Sequence, residues 1–423
     1  MTPSARLQAA IDIADHLQAT QQPADRLLKD WARANRFAGS KDRAAIAERI
    51  FTLLRHPQSF AWRMGGTTGR NLVIASLLAE GASPVEIETL FDGTRYAPEP
   101  LSEAEKQHIA SPPQSSAPLS VQGEYPAFLE ADLTRAFGDT LLAEMQAFTT
   151  RAPVDLRVNT LKATRDEVLA QLLADGFEAA PTPFSPLGIR IPSGLGLSAL
   201  SRHPLFEDGG FEFQDEAAQI AALMARPRPG ERVLDLAAGA GGKSLAFAAE
   251  MDNQGDILAC DIDGKRLFAL EPRAKRAGAS IIRSHVLRGE PPDEQFDLVF
   301  VDAPCSGTGV WRRQPELRTR LTESRLAELA SLQDRLLDQG AARLSPGGRL
   351  VYATCSILPR ENEDRVAAFL ARTPGFTLRK PAGPWAAVSP QTGLPGPDDF
   401  FRASPYVTGT DGFFAAILVR GEA

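Results

Sequence analysis

From about residue 204 onward, short apolar runs alternate with stretches of helical periodicity. The runs are VLDL from Val233, ILAC from Ile257, DLVFVD from Asp297 and RLVYAT from Arg349. A strand that is apolar at nearly every position is buried on both faces, so helices must cover it above and below. This predicts an α/β domain built on a parallel sheet, over 204–423. Ligands of such sheets bind just past the carboxyl ends of the strands. The search for function therefore starts at the residues that follow each run.

Upstream the pattern changes twice. Residues 1–110 read as helical, because Ile46, Ile50, Leu53 and Leu54 fall on one helical face. Leu7, Ile11 and Ala14 repeat the pattern, and Leu27, Leu28 and Trp31 suggest a further helix. The polar, proline-rich segment 111–121 is the expected linker. In 122–203, VDLRVNT alternates like a half-buried strand, and RDEVLAQLLADG reads as a helix closed by Gly176. That region is expected to be a small α+β domain. No internal repeat is visible.

Composition narrows the class of function. Against 46 Lys and Arg stand 53 Asp and Glu, a net charge of −7, which excludes wholesale binding of any polyanion but not a local basic surface. The three cysteines, Cys260, Cys305 and Cys355, are odd in number in a long chain, so a reducing cytoplasm is expected rather than a disulfide framework. Neither a signal peptide nor a run of roughly 18 apolar residues is readable. The expectation is a soluble cytoplasmic protein, monomeric, with no membrane partner and no metal.

The stretch DLAAGAGGKS, Asp235 to Ser244, follows the first run as a glycine-rich loop. A phosphate-binding P-loop needs glycine at Ala237, and the dinucleotide fingerprint needs a third glycine at Ser244. Asp261 ends the next strand, where a carboxylate can accept hydrogen bonds from ribose hydroxyls. These residues point to an adenosine-containing cofactor, with NAD and S-adenosylmethionine both open. A tight turn with no ligand is the bland alternative.

Two further runs end in cysteine. FDLVFVDAPCSGTGV carries Asp302 and Cys305, and RLVYATCSILPREN carries Cys355. Cys260, inside a strand, is expected in the core. Together DAPCSGTG and YATCSILPREN resemble the paired signatures of the RsmB/Sun/NSUN family of RNA 5-methylcytosine methyltransferases. Their cofactor loop is close to D-x-C-A-A-P-G-G-K-T. FQDEAAQ, LRVNTLK and GTDGFFAAIL extend the resemblance, in the family's order, over about 151–423. SKDRAAIAERIFTLLR is similar to the NusB-like helical domain of bacterial members.

The resemblance implies a Rossmann-like class I methyltransferase domain that uses S-adenosylmethionine to methylate carbon 5 of a cytosine in RNA. Carbon 5 is a poor nucleophile until a thiolate adds at carbon 6, and cysteine supplies that thiolate. DNA enzymes use the Pro-Cys cysteine for this step. In the RNA family the Thr-Cys cysteine attacks, which makes Cys355 the nucleophile and Cys305 the release residue. Asp302 and Lys243 would hold and polarise the base, although Lys243 also suits the exposed start of a helix. Cofactor contacts are implied from Ala237, Ala238, Gly239, Ala240, Gly241, Gly242 and Lys243, with Asp261 on the ribose, Arg266 on the adenosine side, and Asp302.

Two departures stand out: Ala240 replaces the family's proline, and His285 lies near the usual adenine-binding aspartate. For RNA phosphates the candidates are Arg312 and Arg313 of the basic run WRRQPELRTR, with Arg157 and Lys162 from the small domain. Small-subunit ribosomal RNA is the expected substrate. The alternatives are a transfer RNA methyltransferase, a non-catalytic RNA-binding or ribosome assembly factor, and a dehydrogenase.

Overall fold

The computed structural model describes residues 1–423 other than 21, 112, 114, 193–196, 390–392, 396–398 and 423. Pro112 and Gln114 of the expected linker thus lie outside the described residues. Packing divides the chain into two units, Met1–Thr150 with Trp311–Leu321, and Arg151–Val310 with Thr322–Ala423. Among the described residues no helix is long and apolar enough to cross a membrane.

In the first unit the helices Pro3–Ala19, Ala24–Ala34, Ser40–Arg55, Pro57–Met64 and Gly69–Ala79 enclose a core that includes Leu7, Ile11, Ile46, Ile50 and Leu53. The apolar spacing seen in the sequence is the buried face of these helices. The segment Trp311–Leu321 joins the same unit. Trp311 is fully buried and meets Phe148 edge-on at 6.2 Å. Arg318, 1% exposed, donates to the carbonyls of Arg55, Glu124 and Phe148 at 3.2, 3.2 and 2.8 Å. Arg55 ends one helix and Phe148 caps another, so the guanidinium satisfies carbonyls that helix ends leave without partners.

The second unit contains two sheets. The smaller is built from β1 (Val154–Val158), β2 (Ala180–Pro181), β3 (Gly188–Ile191) and β4 (Phe211–Phe213), in the order β2-β3-β1-β4. Its outer strand therefore comes from beyond residue 203. The helix Arg165–Ala174 packs Val168 and Leu172 into the core beside this sheet, with Leu156 and Ile189.

The larger sheet comprises β5 (Arg232–Leu236), β6 (Asp256–Asp261), β7 (Ile282–Val286), β8 (Phe296–Asp302), β9 (Leu344–Thr354), β10 (Phe376–Arg379), β11 (Phe401–Ala403) and β12 (Phe413–Arg420). Its order is β10-β12-β9-β8-β5-β6-β7, with β11 also on β12. The strands β7, β6, β5, β8 and β9 are mutually parallel, and β12 runs antiparallel to β9. Val233, Phe300 and Val351 pack on one face, and Leu234, Val299, Val301 and Leu350 on the other, which explains the unbroken apolar runs. The chain leaves β5 toward β6 and β7, then returns to lay β8 on its other side. That reversal opens the crevice in which doubly wound sheets hold their ligands.

Candidate active site

The loop after β5 turns sharply. Ala237 has φ +70°, Gly239 +58° and Gly241 +77°, and the helix Gly242–Glu250 begins directly behind them. An added Cβ on Gly241 would lie 2.1 Å from Leu270 Cδ1, so glycine is required there for close packing as well as for its dihedral. Two loop carbonyls are tied back into the protein. Arg273 donates to Ala240 O at 2.5 Å and Arg157 donates to Gly242 O at 2.7 Å. Arg273 is in turn paired with the buried Glu212 at 2.8 Å. With these carbonyls engaged, the start of the helix can present its amide groups to a ligand.

Beneath the loop, Asp235 is fully buried and accepts from the Ser244 hydroxyl at 2.5 Å. Burial pushes its carboxyl up to about 6, against the pull of the Ser244 bond and the Lys243 charge. Asp261, at the end of β6, is 5% exposed and accepts from the amides of Gly239 and Asp263, each at 2.7 Å. Each of its oxygens retains a second lone pair for a hydroxyl donor. Arg266 is exposed, and its Nη2 lies 2.6 Å from where a Cβ on Gly239 would stand. His285 is exposed on the edge strand β7, in register with Cys260, one step short of Asp261.

On the other side of the crevice, Lys243 Nζ lies 2.5 Å from Asp302 Oδ2 and 5.5 Å from the centre of the Phe413 ring. The ammonium is thus held at the carboxyl end of β8 instead of reaching into solvent. Cys305 and Cys355 follow the adjacent parallel strands β8 and β9, and their sulfurs are 3.4 Å apart. The hydrogen bond with Cys355, and then burial, raise the Cys305 thiol well above its ordinary value. Cys260 is fully buried and its thiol is pushed up to about 12, chiefly by burial. It belongs to the core, as its place within a strand suggests.

Glu361, fully buried, was not singled out from the sequence although it lies inside the YATCSILPREN motif. Its carboxylate accepts from the Ser306 amide and hydroxyl at 2.9 and 2.5 Å, and from the Ser356 hydroxyl at 2.5 Å. Gln333 Nε2 adds a bond at 3.0 Å and also donates to Pro304 O at 3.0 Å. The backbone closes the rest of the rim. Gly309 N donates to Cys355 O at 2.9 Å, and Gly412 N donates to Gly309 O at 2.8 Å.

Two expected RNA contacts are corrected. Arg157 is 3% exposed and donates to Gln214 Oε1 as well as to Gly242 O. Burial lowers it to about 10, and its work is to hold the loop. Arg312 is 6% exposed, because the basic run that contains it packs as core of the helical unit. Neither is a surface cation open to a phosphate. Lys162 is exposed and Arg313 half-buried.

A glycine loop after β5, an acid at the end of β6 and a reversal between β5 and β8 define a Rossmann-like fold with a nucleotide-cofactor crevice. Comparison with known proteins agrees. Residues 222–419 match the family described as 16S rRNA methyltransferase RsmB/F, and residues 125–197 match the RsmF/B-like ferredoxin-like domain. By these two domains the chain belongs to the RsmB/F methyltransferase family. It is 37% identical over 303 residues to ribosomal RNA small subunit methyltransferase B of Salmonella agona, and 38% identical to that of Klebsiella pneumoniae strain 342. Each match covers 70% of this chain and 66% of the relative, so just under two thirds of the relatives' length is spanned. Among solved structures, that of PH0851 superposes with a TM-score of 0.78 at 25% identity, over 99% of both chains. A methyltransferase homologue from Pyrococcus horikoshii gives 0.59 at 26% identity, over 71% of this chain and 97% of the other.

Proposed function

We propose that this protein transfers a methyl group from S-adenosylmethionine to carbon 5 of a cytosine in small-subunit ribosomal RNA. The observation that carries the reading is the pair of thiols 3.4 Å apart beside the Lys243–Asp302 pair. RNA binding alone needs no such arrangement, and neither does hydride transfer. The names of the relatives support the RNA and the subunit.

The cofactor fits the residues present. The loop Ala237–Lys243 has its carbonyls at Ala240 and Gly242 tied back, Asp261 keeps lone pairs for ribose hydroxyls, and Arg266 and Asp302 flank the crevice. When bound, S-adenosylmethionine supplies an electrophilic methyl group. The chain's own residues prepare the base. The Cys355 thiolate adds to carbon 6 of the cytosine, which gives carbon 5 enamine character, while Lys243 and Asp302 hold and polarise the ring near N3. After carbon 5 is methylated a base takes its proton, the electrons of that carbon–hydrogen bond re-form the C5–C6 double bond, and the carbon–sulfur bond returns its electron pair to Cys355.

Cys305 assists this release. Its sulfur lies 3.4 Å from that of Cys355, close enough to act on the same adduct. Lys162 and Arg313 contribute phosphate contacts. The chain works as a monomer of three parts: a NusB-like domain over 1–110, a small α+β domain, and the catalytic domain.

The test is methyl transfer from labelled cofactor to small-subunit RNA, assembled small subunits and bulk transfer RNA, with bisulfite sequencing of the product. One newly protected cytosine in the small-subunit RNA is expected. Labelling of transfer RNA instead would reassign the substrate, and no labelling of any RNA would overturn the activity.

A further inference from the structure

Each cysteine of the pair is followed by a serine, Ser306 and Ser356, and both serine hydroxyls donate to the same oxygen, Oε2 of Glu361, at 2.5 Å. Oε1 accepts from the Ser306 amide at 2.9 Å and from Gln333 at 3.0 Å, and Gln333 also holds the carbonyl of Pro304, just before Cys305. The neighbouring Asn362 behaves differently. It receives the Thr354 hydroxyl at 2.6 Å and donates to Ser356 O at 2.9 Å, so it grips only the loop of Cys355. Glu361 instead joins the two loops. A buried carboxylate is costly to leave unsatisfied, and these four donors fix it in one place.

We propose that Glu361 is the positioning residue of the thiol pair, a clamp that sets the sulfur-to-sulfur spacing by holding the residue after each cysteine. The proposal rests on the methyltransferase reading for its catalytic consequence, but not for its geometry. Glu361 touches neither thiol. It acts through the two serines, and a displacement of about 1 Å at a reacting pair can cost on the order of 10²-fold in rate.

Geometry is tested without RNA. Diamide joins two thiols into a disulfide and takes up the two electrons and two protons, at a rate that depends on how readily the sulfurs meet. In the wild-type protein, peptide mapping should find a Cys305–Cys355 bond and a loss of two hydrogens. E361Q should form it at least tenfold more slowly, with cofactor affinity within about twofold of wild type. Ser306→Ala, which keeps the carboxylate, is the second variant should E361Q not fold, and it should slow the reaction in the same direction. In turnover, E361Q should lower kcat by about 10²-fold with KM little changed, and E361D should recover less than Ser306→Ala retains. Equal oxidation rates in wild type, E361Q and Ser306→Ala would overturn the clamp, whatever the RNA assay shows. Normal clamp behaviour with no RNA methylation would instead overturn the activity alone.

Discussion

Asp235→Asn should make the protein more stable at neutral pH than at acid pH, relative to wild type. Asp235 is fully buried and its carboxyl is raised from 3.8 to about 6 by burial. The folded state therefore prefers the protonated acid, whereas the unfolded chain releases the proton near 3.8. Between these values the unfolded state binds fewer protons than the folded one, so stability is lost as pH rises from about 4 to about 6. Above that window the loss is constant. The difference between about 6 and 3.8, at about 1.4 kcal/mol for each pH unit, is about 3 kcal/mol. An asparagine keeps an acceptor for the Ser244 hydroxyl and carries no charge. Whatever the substitution costs in packing is the same at both pH values and cancels in the comparison. Urea unfolding of both proteins at pH 4 and pH 7.5 gives the double difference. Because the unfolded carboxyl is already more than half ionised at pH 4, a relative gain for the variant of about 2.5 kcal/mol between pH 4 and pH 7.5 is expected, and a constant difference, or one that grows toward acid pH, would refute the burial argument.

Three further outcomes follow from the site. Cys355→Ala should abolish methylation and give no covalent complex, whereas Cys305→Ala should accumulate an RNA adduct that survives denaturing electrophoresis; an adduct with Cys355→Ala would reverse the roles. Asp261→Ala removes a carboxylate acceptor, whose bonds are worth roughly 1.5–3 kcal/mol, so calorimetry should show S-adenosylmethionine affinity falling about tenfold or more. For RNA, Lys162→Ala should reduce the slope of log affinity against log salt by about 0.7, as loss of one phosphate contact to a single strand does. Arg157→Met should leave that slope unchanged while weakening cofactor binding, because its partner is Gly242 O. A slope change with Arg157→Met and none with Lys162→Ala would restore the surface reading of Arg157.

The sheet was legible because its strands are buried on both faces, and a run such as DLVFVD has few other stable places in a fold. The two strand-end cysteines were legible for the same reason: where the apolar run stops, the ligand side of the sheet begins. Cations were the weak point. Arg157, Arg312 and Lys162 look alike in sequence, and only partners far along the chain decide which is drawn inside. For Arg157 these are Gln214 and Gly242, 57 and 85 residues away. Arg318, in the same basic run as Arg312, sits among carbonyls from Arg55, Glu124 and Phe148. Asp261 is expected at a ribose from its place at the end of a strand; what its bond to Gly239 adds is a brace for the loop after β5. Glu361 escaped notice because nothing local reveals that two serines 50 residues apart converge on it.

The backbone stitching at the rim bears on how this protein is made. Gly412 binds Gly309, Gly309 binds Cys355, and β12, which begins at Phe413, pairs Phe414 with Thr354. An added Cβ on Gly309 would stand 2.0 Å from Gly412 O, so the two backbones are in direct contact. A nascent chain therefore exposes both cysteines and the glycine loop well before it has the strand that closes the rim around them. During that interval the thiols are present without their final neighbours, open to oxidation and to chance encounters with other partners. The thiol pair is therefore organised only once β12 has been made and has taken its place beside β9.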